Sequence, residues 1–347
     1  MNTSPDHLLG VAERAVLEAC AVCRAVQTRD PRLGGQSAIA ITKGDRSPVT
    51  IADFAAQAVI AHRLRQALGD VTLLGEEGSG YLRDPTHAAE KTAALAAVRL
   101  VWPEASEADM LDALDLGAGE FHRTPGRAGA FWTLDPIDGT KGFLRGEQYA
   151  VCLAHIEVPE SGIGAPTIAA MGCPNLPASF TAQFHTPDPV GLVYLAGKGR
   201  GASVLPADGS APASPLRRAP RTPGAPILGC RSVDASHSDH STASRAMRRL
   251  HAHPAPLELD SQCKYAVVAR GQADVYLRIP GKKPYVERIW DHASGALIAS
   301  EAGCSVTDIE GKPLDFAHGR GLDANSGIVC CEPSLLRDIL GAIAAEL

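Results

Sequence analysis

Four separate segments of this chain place carboxylates where a predicted strand or helix begins or ends. They are Asp53 in VTIADF, Glu76 and Glu77 in LGEEGS, Asp135 and Asp138 in LDPIDGT, and Asp291 in IWDHASG. Taken singly, each reads as a helix cap or a solvated loop acid; Asp291, for one, stands just before an apolar-periodic helix that it could cap. Taken together they restrict the fold. Acids at the ends of neighbouring strands point into one crevice, the place where open α/β sheets bind ligands. Two carboxylates ~5 Å apart repel by roughly 3 kcal/mol at an effective dielectric near 20. Several in one crevice are untenable unless a cation stands among them. All the donors are oxygens and no Cys/His set competes, so magnesium is the ion this chemistry suits.

The rest of the chain supplies strands and helices to carry those acids. Apolar residues recur at three and four over residues 6–27 and again from Phe54 to Leu68, two amphipathic helices. A strand is predicted at 71–74, helix over 88–116 with a break at Trp102–Pro103, and a buried strand, AFWTLD, running into Asp135. YAVCLAHIEV and PTIAAMGCP read as further strands. Residues 206–226, rich in Pro, Ala, Ser, Gly and Arg, read as a surface loop or boundary. Beyond it come strand 226–230, helix 239–252, strand 256–259, helix 262–270, strand 274–279, helix 291–302, then strands and a last helix, 333–346. Such alternation predicts an α/β layer. GKGRG at 197–201 lacks the strand-then-helix setting of a nucleotide-binding fingerprint.

With 347 residues the chain can bury a large core in more than one layered part. Its net charge of −6 leaves no electrostatic footprint for a nucleic-acid polymer. No run of about 18 apolar residues could cross a membrane, and the first residues resemble neither a secretory signal nor a transit peptide. The cysteines are odd in number, nine, and several stand in apolar runs, which predicts buried thiols in a reducing compartment. CAVC at 20–23 has the spacing of a redox or zinc pair, but its apolar neighbours recur at helical period and predict a buried helix face. The expectation is a cytoplasmic monomer acting on a small molecule.

DPIDGTKGF, GEE and WDHASGALIASEAG resemble the lithium-sensitive, magnesium-dependent phosphatases of the inositol monophosphatase superfamily. More narrowly, SPVTIADFAAQAVI, KGFLRGEQYAVCLA, DSQCKYAVVARGQADVYLRIP and PLDFAHGRGL resemble the 3′(2′),5′-bisphosphate nucleotidases. The resemblance implies a layered αβαβα sandwich, with an N-terminal α+β part over 1–222 and a C-terminal α/β part over 223–347. It implies one magnesium on Glu76, Asp135 and the Ile137 carbonyl, and a second on Asp135, Asp138 and Asp291, with a third near Glu77. Thr140, hydrogen-bonded to Asp53, would orient the attacking water, and the Asp53 carboxylate would draw off its proton. His237, Ser261, Lys264 and Arg278, with Thr140 and Asp291, would hold the substrate, Ser261 at a helix start that favours anions.

The activity so implied is hydrolysis of the 3′-phosphate of adenosine 3′,5′-bisphosphate, extending to 3′-phosphoadenosine 5′-phosphosulfate. An inositol phosphate phosphatase is the alternative within the class. A non-catalytic nucleotide or metal sensor is the alternative outside it, and a sensor has no use for a water-activating pair.

Overall fold

The computed structural model describes residues 3–33, 41–42, 48–179, 184–222, 224–233, 239–281 and 285–347. The chain opens with α1 (Pro5–Gln27), a short strand pair β1 (Ile41–Thr42) and β2 (Pro48–Val49), and α2 (Ile51–Leu68). There follow β3 (Leu73–Gly75), α3 (Gly80–Arg83), α4 (Ala88–Val98), α5 (Glu107–Leu116), β4 (Gly129–Asp138) and α6 (Thr140–Arg145). A run of strands comes next: β5 (Ala150–Val158), β6 (Ala165–Cys173), β7 (Leu192–Gly197), β8 (Gly201–Pro206) and β9 (Ser214–Leu216). The second half alternates as predicted: β10 (Gly229–Arg231), α7 (His240–Arg249), β11 (Leu257–Glu258), α8 (Cys263–Ala269), β12 (Val275–Arg278) and α9 (Ala293–Glu301). It ends with β13 (Ser305–Thr307), β14 (Ile328–Cys331) and α10 (Leu336–Ala344).

The strands from β3 to β9 form one seven-stranded sheet in sequence order, parallel only between β3 and β4. The strands from β10 to β14 form a five-stranded sheet, β11-β10-β12-β14-β13, with β10, β11 and β12 parallel. Period-two alternation sorts their side chains into layers. Tyr276 of β12 joins the core shared with α8, α9 and the large sheet, whereas Val275 and Leu277 join the core under α7 and α10. On its far side the large sheet carries α1 and α2. The result is the αβαβα sandwich.

Local chemistry explains the helices nearest the site. Ser4 caps α1 by accepting the His7 N–H, with Pro5 in the first turn. Burial is unbroken from Ile51 to Ala61 because α2 is wedged between α1 and the pair α4 and α5, where alanines admit close approach. Cys20 and Cys23 belong to the buried face of α1, as the helical spacing predicted. A Cβ at Gly172 of β6 would stand 2.1 Å from Cys20 Sγ, so helix and sheet meet at van der Waals contact. All nine thiols are buried and free.

Two expectations change. β4 does not stop at Asp135 but runs to Asp138. The Pro-rich stretch holds β9, whose backbone pairs with β8, because edge pairing asks little of side-chain composition. GKGRG is the turn of the β7–β8 hairpin, with Gly199 and Gly201 at positive φ. Among the described residues no helix is long and apolar enough to cross a membrane.

Candidate active site

Two residues three apart on a regular strand point to opposite faces. Asp135 pairs with Cys152 and Asp138 with Ala150, so β4 spends three steps where β5 spends two. This bulge turns both carboxylates to one side. Pro136, with no N–H to pair, occupies the irregular step, and Gly139 follows at φ 85°. A Cβ there would come within 3.0 Å of the Ser261 Cβ. The parallel pairing of β3 with β4 continues through the Glu76 N–H to the Leu134 carbonyl, 3.1 Å, which sets Glu76 beside Asp135. Arg320 anchors the same corner by donating to the Gly75 carbonyl at 2.8 Å.

Asp291 comes from the opposite direction, at the end of a 3₁₀ turn, Ile289–Asp291. Its carboxylate does not cap α9; the N-cap is His292, which makes no side-chain capping bond. Oxygens of Asp135, Asp138 and Asp291 thereby lie within 4.8 Å of one another. Burial pushes the Asp135 carboxyl well above its usual range, and Glu76, Asp138, Asp291 and Asp53 push the same way. Asp138 is raised to about 6, by burial and then Asp291, against the pull of Lys264 and the Gln262 N–H. Asp291 is raised to about 7 by burial, with Arg278 opposing and Glu76 and Glu287 adding. Clustered acids that resist ionisation, all oxygen donors, fit a hard divalent cation.

Asp53 and Thr140 are not joined by the hydrogen bond expected of them. The Asp53 Oδ2 accepts from the Thr50 N–H and hydroxyl, both at 2.7 Å, in a capping box at the start of α2. Thr140 donates instead to the Ile137 carbonyl at 3.2 Å. Burial, then Glu77, raises the Asp53 carboxyl well above normal. Glu77 is itself buried, its N–H and carbonyl both taken by Gln57.

The helix start at Ser261 holds an anion, but the protein's own. The Gln262 N–H donates to Asp138 at 2.5 Å, and the Cys263 N–H to the Ser261 hydroxyl at 3.2 Å. Ser261 sits at φ 69°, a left-handed conformation that costs roughly 1–2 kcal/mol for an L-residue. Lys264 is buried beneath it, donating to the Ser261 carbonyl at 2.7 Å with its ammonium 5.2 Å from the Tyr276 ring. Arg278 is less free than its sequence position implied: Glu287 grips it through Nε at 2.8 Å and Nη2 at 2.7 Å. The same Nη2 is 3.9 Å from Asp291. His237 lies outside the described residues.

Sequence reasoning missed the residues that brace this cluster. Gln262 donates to the Trp290 carbonyl and accepts from the Ser294 hydroxyl and Gly295 N–H, tying α8 to α9. His292 is buried between the Tyr265 hydroxyl, 2.9 Å, and Glu287, 3.2 Å. Burial opposes the charge on Glu287, yet His292 and Arg278 outweigh it and hold the carboxyl below its usual range. Glu287, Asp291 and His292 also form a ligand-like group, but Arg278 already supplies its positive charge. The only sequence sign was a histidine directly after Asp291 in an apolar helix.

The sequence pattern of the inositol monophosphatase family matches residues 6–340. The 3′(2′),5′-bisphosphate nucleotidase of Schizosaccharomyces pombe is 38% identical over 317 residues, covering 88% of this chain and 86% of that protein. The nucleotidase of that name from Oryza sativa is 34% identical over 348 residues, 96% of this chain and 93% of its own. Among solved structures, the inositol monophosphatase from Anabaena superposes with a TM-score of 0.61 at 17% identity, over 99% of this chain and 97% of that one. Mycobacterium tuberculosis SuhB gives 0.58 at 20%, over 99% and 98%. The chain belongs to the inositol monophosphatase family and is a phosphatase.

Proposed function

We infer that the chain hydrolyses the 3′-phosphate of adenosine 3′,5′-bisphosphate to AMP and phosphate, and acts likewise on 3′-phosphoadenosine 5′-phosphosulfate. The observation that carries this reading is the meeting of Asp135, Asp138 and Asp291 beside two cations, the buried Lys264 and the half-buried Arg278. The likeness to proteins named as nucleotidases over most of the chain supports the substrate.

Glu76, Asp135 and the Ile137 carbonyl would hold one magnesium, and Asp135, Asp138 and Asp291 a second, with Glu77 near a third. Bound there, the metal supplies Lewis-acid charge that lowers the pKa of water and offsets charge on the leaving oxygen. Thr50 holds Oδ2 of Asp53, leaving Oδ1 to take the proton of the attacking water, which Thr140 orients. Lys264, with Ser261, would neutralise and seat the phosphate that is not cleaved, and His237 would contact the adenine. Arg278 would share that work while anchoring Asp291. The two sheets support a division into an N-terminal part, 1–222, and a C-terminal part, 223–347. Nine buried free thiols fit a reducing cytoplasm.

The test is phosphate release from adenosine 3′,5′-bisphosphate and from inositol 1-phosphate, with magnesium and with a chelator. The expected result is faster release from the nucleotide, lost on chelation and regained with magnesium. Faster release from inositol 1-phosphate would replace this reading with the inositol phosphatase one. Tight nucleotide binding without turnover would make the protein a sensor.

A further inference from the structure

A cavity of about 220 Å³ lies on the outer face of the five-stranded sheet, under α7 and away from the acids. Its origin is traceable to single residues. Arg245 and Arg249 of α7 both reach Glu346 at the C-terminus, at 2.6 and 2.5 Å, which draws the helix toward α10. The edge strand beside it, β11, is only two residues long and fills little of the space left. Gly229 of β10 then offers no side chain: a Cβ there would meet nothing closer than Met247 Cε at 3.7 Å. The floor is Val275 and Leu277, the residues of β12 that face away from Tyr276 and the catalytic layer.

The rim is chemically one-sided. Arg231, His240, Arg248 and His253 line the cavity, and among the described residues no carboxylate does. Arg231 is paired with Glu258 at 2.5 Å. Arg248 makes no ion pair or side-chain hydrogen bond among the described residues and is exposed at the mouth. An apolar slot between a helix and a sheet, with an unpaired guanidinium at its entrance, matches a flat apolar body carrying one negative charge. The volume falls below that of sites for drug-sized ligands, about 300–1,000 Å³, and so fits one or two rings. We propose that this cavity is a second, non-catalytic site for a small aromatic anion, a carboxylate, sulfonate or sulfate ester.

Calorimetric titration of the full chain with 1-naphthalenesulfonate, and with neutral 1-naphthol as the uncharged counterpart, tests this. The sulfonate should bind one to one and about tenfold more tightly than the naphthol. Arg248→Ala should remove most of that preference, and Gly229→Leu, which fills the slot, should remove binding. Both variants should keep wild-type turnover of adenosine 3′,5′-bisphosphate, and saturating nucleotide should not displace the sulfonate. No binding, equal binding of the two probes, binding untouched by Arg248→Ala, or displacement by the nucleotide would each overturn the proposal. Arg248 is exposed, so its variant decides the matter even if Gly229→Leu fails to fold. The binding readouts with the two naphthalene probes do not depend on which phosphate ester the catalytic site prefers.

Discussion

Arg278 and Lys264 stand close to the same acids yet differ in freedom. Glu287 grips Arg278 through two bonds, so removing the guanidinium leaves Glu287 buried without its cation and lets Asp291 shift. Arg278→Ala should therefore cost both adenosine 3′,5′-bisphosphate and inositol 1-phosphate about ten- to a hundredfold in kcat/KM. Lys264→Ala, by contrast, should hurt the bisphosphate selectively by a similar factor. A selective loss in the arginine variant would return it to the plain phosphate-binding role read from the sequence. Asp135→Asn should abolish turnover, since both proposed ions lose a ligand. In chelator its melting temperature should match or exceed wild type, because one of several mutually repelling buried acids has gone; a folded variant with near-normal turnover would sink the scheme. The acids themselves were legible in the sequence because strand ends, glycines and a proline flag them. Glu287, Gln262 and His292 were not: they act through partners far away in sequence, and no local pattern marks a buried residue that braces another.

The bulge in β4 is the element that makes one site of two carboxylates. It depends on Gly139 keeping a left-handed turn against Ser261. Gly139→Ala should destabilise the protein by about 1–2 kcal/mol and lower kcat more than tenfold, since Asp138 follows the turn. Thermal melting and initial rates check this, and unchanged kcat would mean Asp138 is placed by its bond to Gln262 alone. Element reading from sequence succeeded where periodicity is strong, as in α1 and the alternation from β10 to α9. It failed at β9 and the β7–β8 hairpin, whose pairing is set by neighbouring backbones. It also ended β4 too early, because a proline and a glycine signal a break while a bulge carries pairing past it.

At the scale of the molecule, two sheets lend charge to one place, and pH should report it. Asp138 and Asp291 rise in the folded state from 3.8 to about 6 and about 7. The native form thus holds more protons than the unfolded chain between about pH 4 and 7, so stability in chelator should fall as pH rises through that window. Each kcal/mol lost lowers the melting temperature by roughly 2–4 °C for larger domains. Magnesium should flatten the slope, and a chelated protein as stable at pH 7.5 as at pH 5 would contradict the clustering. The split origin of the site also has a history in synthesis. Asp53, Glu76, Asp135 and Asp138 leave the ribosome well before Lys264 and Arg278. Until those residues are made, the acids of the large sheet stand without the two cations that the finished protein sets beside them.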